Sequence, residues 1–75
     1  MKSNLVAIIS RLLAMTEETE DSVQTRRFEN NGELRAEVTY DSEEKVFILK
    51  ETATGYTTTF DDIDDLAMDI YDLVF

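Results

Sequence analysis

Apolar residues recur at helical spacing near both ends of the chain and alternate with polar ones between, which predicts the order α-β-β-β-β-α. Near the start, Leu5, Ile8, Ile9, Leu12 and Met15 form one stripe, and Ser3 is placed to cap it. Val6 and Leu13 add a second, flanking stripe, so the apolar face is wider than packing on one sheet requires. The helix is expected to fray over Glu17–Asp21, where four acids in five residues oppose the negative end of its dipole. The last segment opens at Asp61 or Asp62, either of which suits an N-cap, and carries the stripe Ile63, Leu66, Ala67, Ile70, Leu73 and Val74.

Strands occupy the middle. Val23–Glu29 and Glu33–Tyr40 flank Asn30-Asn31-Gly32, a hairpin signal. A two-residue turn at Asn31-Gly32 sets Phe28 opposite Arg35. A three-residue loop with Gly32 left-handed sets Phe28 opposite Leu34, so that both apolar residues share a face, and this second register is the expected one. Leu34, Ala36, Val38 and Tyr40 then form the buried side of the second strand. A turn at 41–44 leads to the third strand, Lys45–Glu51, whose pairing of Tyr40 with Lys45 buries Phe47 and Leu49 and turns Val46 and Ile48 outward. Thr54-Gly55 turns the chain again, and Tyr56, Thr58 and Phe60 share the face of Leu49. The expected fold is α+β: an antiparallel meander sheet with both helices packed on one face, a two-layer sandwich.

Three short runs carry a family resemblance across essentially the whole chain. They are Ile8-Ile9-Ser10-Arg11-Leu12 in the first helix, Arg27-Phe28-Glu29-Asn30-Asn31-Gly32-Glu33 in the first hairpin, and Phe60-Asp61-Asp62-Ile63-Asp64 at the last helix. In that order and spacing the chain resembles the YkuJ-like family of small bacterial proteins. The resemblance implies a small antiparallel α+β fold in a cytoplasmic protein, and it supplies no functional residues.

Length and composition narrow the function classes. Seventy-five residues suffice for one domain and not for two, so residues 1–75 read as a single α+β domain. A domain of this size buries only about 60% of the surface its unfolded chain exposes, and such chains often add disulfides, a metal or a partner. The chain has no Cys and no His, so disulfides, thiolate sites and the commonest general base are all excluded. Association with a second copy, a homodimer, is the remaining reinforcement, and Val46 and Ile48 or Val6 and Leu13 are its candidate surfaces. A net charge of −10 argues against nonspecific binding to nucleic acid or to an anionic membrane. The apolar stretch from Leu5 is broken by Ser10 and Arg11, is too short to span a bilayer, and leads to no small-residue cleavage site, so a cytoplasmic location is expected.

The last helix holds the most unusual chemistry. Asp61, Asp62, Asp64, Asp65, Asp69 and Asp72 lie in residues 61–75 without a single Lys or Arg, and Asp62, Asp65, Asp69 and Asp72 fall in one row. Acids in the first turn suit the dipole; Asp69 and Asp72 oppose it and repel their neighbours. The plain reading is a solvated polar face. The functional one is a docking stripe for a basic protein surface, carried by Asp65, Asp69 and Asp72. Asp61, Asp62, Asp64 and Asp65 lack the alternate spacing, central Gly and distal Glu of a calcium loop, so no metal or cofactor is expected to be needed for folding. Arg27 and Arg35, opposite one another in the expected register, form a weaker candidate for a carboxylate or phosphate, against a bland mixed-charge surface with Glu37, Lys50 and Glu51. Arg26 falls on the inner face opposite Ala36, where its long stem can reach out from the sheet edge. With only Gly32 and Gly55 there is no glycine-rich phosphate loop, and no Ser or Thr has a His beside it. The function expected is a non-enzymatic interaction or regulatory module; the alternative is a domain binding a small ligand or a divalent cation.

Overall fold

The computed structural model describes residues 4–17 and 23–75. Its elements are α1 (Asn4–Glu17), β1 (Val23–Asn30), β2 (Glu33–Asp41), β3 (Val46–Glu51), β4 (Thr57–Phe60) and α2 (Ile63–Val74). The strands form one antiparallel sheet in the order β1-β2-β3-β4, and α1 and α2 both pack on the same face of it. The expected α+β sandwich is the fold. Ser3 and most of the expected frayed segment lie outside the described residues; Glu17 is still helical.

The core follows the periodicities. Ile8, Leu12 and Met15 from α1 meet Phe28, Ala36, Val38, Tyr40, Phe47 and Leu49 from the sheet and Leu66, Ala67, Ile70 and Val74 from α2. Leu5, Ile9, Phe60, Ile63 and Leu73 are half-buried around them. Neither a basic last turn nor an acidic first turn supports α1, so its stability comes from this apolar stripe. Asp62 is the N-cap of α2: its backbone is extended and its carboxylate accepts from the Asp64 N–H at 2.9 Å.

The first hairpin departs from the expected register. Asn31 (φ 55°) and Gly32 (φ 76°) are both left-handed, so the connection is the two-residue turn, with Asn30 opposite Glu33 and Glu29 opposite Leu34. A bulge then absorbs Arg35, and Phe28 lies opposite Ala36. The extra residue restores the same outcome by another route: Phe28 still shares the buried face with Ala36, Val38 and Tyr40. Thr52 closes the bulged region by donating from its hydroxyl to the Leu34 carbonyl at 2.7 Å. Asn30 ties the hairpin to the helix layer, its side-chain amide donating to the Val74 carbonyl at 2.7 Å.

The second hairpin is corrected by two positions. Tyr40 pairs with Phe47, not Lys45, and their rings lie 4.6 Å apart. The Asp41 carboxylate accepts from the N–H groups of Glu43 (3.0 Å) and Glu44 (3.3 Å), and Lys45 takes a left-handed φ of 57°, so the four-residue loop sits one position later, over 42–45, with Asp41 opposite Val46. A shift of two keeps Phe47 and Leu49 on the buried face and Val46 and Ile48 on the other.

Candidate functional site

The face of the sheet away from the helices carries three cross-strand rows. Val23 aligns with Asp41 and Val46; Thr25 with Thr39, Ile48 and Thr59; Arg27 with Glu37, Lys50 and Thr57. The hydroxyls of Thr25 and Thr39 lie 3.3 Å apart. Val46 is half-buried, Ile48 is 36% exposed and Val23 is 53% exposed. Among the charged groups of these rows, Arg27 and Lys50 balance Asp41 and Glu37. The other apolar candidates, Val6 and Leu13, are more open, 60% and 46% exposed on α1.

The bulge separates the two arginines. Arg27 lies opposite Glu37, and Arg35 ion-pairs with Glu33 at 2.8 Å. They form no fork for an anion. Arg26 lies opposite Val38 rather than Ala36, still on the helix-covered side and exposed at the sheet edge. Glu51, expected among the outer charges, falls on the helix side, because it pairs with Ala36.

That placement of Glu51 matters for the acidic helix. An open cleft of ≈ 300 Å³ lies between α2 and the β3–β4 hairpin, lined by Asp69, Asp72 and Leu73 from the helix and by Leu49, Glu51, Tyr56 and Thr58 from the hairpin. Three carboxylates thus stand around two leucines and a tyrosine ring that is 70% exposed. Asp65, also exposed, lies in the same row of α2 but does not line the cleft. Among the described residues no group of three or more Asp or Glu side chains is arranged to hold a metal ion, and Asp62 is engaged as a cap. The cleft therefore offers spread negative potential over an apolar floor. That suits a long cationic side chain, whose stem packs on Leu49 and Leu73 while its head meets the acids.

Tyr56 and Thr58 share the face of Leu49 as expected, but neither they nor Glu51 were expected to line a site with the acidic helix. The legible signals were Thr58 and Glu51. A polar residue at an inward-facing strand position marks a stretch of sheet the helix does not cover.

Residues 8–74 match the family described as "Protein of unknown function (DUF1797)". No curated protein matches the chain. Among solved structures, the x-ray structure of the YkuJ protein from Bacillus subtilis is similar to it with a TM-score of 0.89 and 34% identity, over 96% of this chain and 98% of that one.

Proposed function

This chain belongs to the YkuJ-like family of proteins of unknown function (DUF1797), and for this member we propose a non-enzymatic role as a protein-interaction module of the cytoplasm. Its task is to dock a basic protein surface. The observation that carries the reading is the cleft in which Asp69, Asp72 and Glu51 surround Leu49, Tyr56 and Leu73. Asp69 and Asp72 sit where the helix dipole and their mutual repulsion disfavour them, and a cationic partner relieves both penalties. Asp65 extends the row and steers approach from outside the cleft.

The test is the double substitution D69N/D72N. Lysate proteins retained by the parent are expected to be lost from the variant, with slower association and a flatter salt dependence. Its melting temperature should hold or rise slightly, since the change relieves repulsion worth a few tenths of a kcal/mol. Unchanged retention would sink the reading.

The module is proposed to work as a homodimer joined through the helix-free face of the sheet. Val23, Val46 and Ile48 supply its apolar centre, and the charges of Arg27 and Lys50 balance those of Glu37 and Asp41, so this face carries no net charge of its own although the chain carries −10. Val6 and Leu13 on α1 are the competing surface. Light scattering should report a dimer at high micromolar concentration, and Ile48→Lys should convert it to monomer while Leu13→Lys does not. A monomeric parent refutes the dimer; dissociation by Leu13→Lys alone moves it to α1.

A further inference from the structure

We infer that β4 is a docking edge: the basic partner enters as an extended segment that adds a fifth strand beside Thr57–Phe60. Its inward-facing cationic side chains then reach the cleft of Asp69, Asp72 and Glu51. The inference rests on the docking reading above and specifies its geometry.

The two edges of the sheet are built differently. Edge strands offer unpaired N–H and C=O groups, and proteins guard them with charged side chains, proline or bulges. β1, at one edge, carries Arg26, Arg27 and Glu29 and faces a bulge in its partner. β4, at the other, reads Thr-Thr-Thr-Phe, with no charge and no bulge. It is short, but otherwise unguarded.

The hydrogen-bond phase shows which groups are available. Glu51 donates its N–H to the Tyr56 carbonyl at 2.8 Å, so Glu51 and Tyr56 are a bonded pair. Alternation along an antiparallel ladder makes Leu49–Thr58 and Phe47–Phe60 bonded pairs as well. The N–H and C=O of Thr57 and Thr59 then point away from β3, toward the open edge. An added strand pairs with these groups, and its side chains opposite Thr58 fall on the helix side of the sheet. Thr58 itself is exposed there and lines the cleft with Asp69 and Asp72.

Charge decides the occupant. A second copy pairing β4 with β4 brings two clefts of carboxylates together, which a chain of net charge −10 disfavours. A segment with Lys or Arg at every other position satisfies both surfaces at once: backbone to β4, cations to the cleft. Because only Thr57 and Thr59 present outward groups, backbone pairing alone is weak, and the carboxylates supply specificity for basic segments.

The probe is an end-capped peptide of alternating Lys and Val, titrated into the isotope-labelled full chain. The expected result is slowed amide exchange at Thr57 and Thr59 in the complex, and affinity lowered about tenfold by D69N/D72N. A peptide of the same sequence, N-methylated at alternate backbone amides on its pairing edge, keeps its charge and is expected to bind about tenfold more weakly without protecting those amides. Equal binding of the methylated peptide, absent protection at Thr57 and Thr59, or no binding by the parent peptide overturns strand addition. If lysate capture still depends on Asp69 and Asp72 in any of those cases, docking by charge stands without it; if capture is also unchanged by D69N/D72N, both readings fall. Concentration-dependent protection of Thr57 and Thr59 without peptide assigns the edge to a second copy and likewise overturns the proposal.

Discussion

Leu66→Ala is expected to lower the melting temperature by roughly 10–30 °C, the largest effect of any single truncation proposed for this chain. Leu66 is fully buried, as are Leu12, Met15, Val38 and Ile70 in the same core. Removing its isobutyl group loses transfer free energy and leaves a cavity, together about 2–5 kcal/mol. A chain of this length has a total stability of only about 4–11 kcal/mol, so a large share of it disappears. Met68, two positions along the same helix, is 60% exposed, and Met68→Ala should change stability by no more than about 0.5 kcal/mol. Urea unfolding of the two variants followed by circular dichroism makes the comparison at equal helix propensity of the new residue. Similar midpoints for both would mean that the burial assigned to α2 is wrong.

The core was legible because a burial pattern needs only parity and period. The stripe of α2 named from spacing is the stripe that packs, and Phe47 and Leu49 are buried although the strand pairing assigned to them was two positions off. Sliding a strand by two leaves each side chain on its face, so the sequence specifies facing more strongly than register. The same tolerance hid the bulge. Putting Phe28 opposite Leu34 and absorbing Arg35 into a bulge satisfy the apolar pattern equally well, and nothing in the alternation separates them.

Function suffered where register mattered. The Arg27–Arg35 pair existed only in the wrong register, and Arg35 belongs to Glu33. The acidic row of α2 was visible at helical spacing, but its setting was not. Alternation with Phe47 and Leu49 turns Glu51 to the helix side, but its meeting with Asp69 and Asp72 depends on where β3 ends against α2, a tertiary fact without a local signature. Thr58, and Glu51 two positions beyond Leu49, signalled the gap by being polar at inward positions.

The turn that sets the first register carries the second large effect. Gly32→Val is expected to cost about 1–3 kcal/mol, a fall of roughly 5–20 °C in melting temperature, whereas Gly32→Asn should lose much less. Gly32 sits at φ 76°, and a Cβ added there meets nothing within 4 Å. The penalty is therefore conformational rather than a clash: a β-branched residue is strained in the left-handed region, while Asn visits it readily, as Asn31 does at φ 55° next door. Val has two further routes open to it, and both are costly. Moving to negative φ would abandon the two-residue turn, shift Glu29 and Leu34 out of pairing, and pull Asn30 from the Val74 carbonyl. Keeping the turn retains the strain. Thermal melts of the parent, Asn and Val variants should rank in that order. A Val variant as stable as the parent would show that the bulge and the Asn30 contact, not the turn, pin the register; equal losses for Asn and Val would point to a contact made by the added side chain.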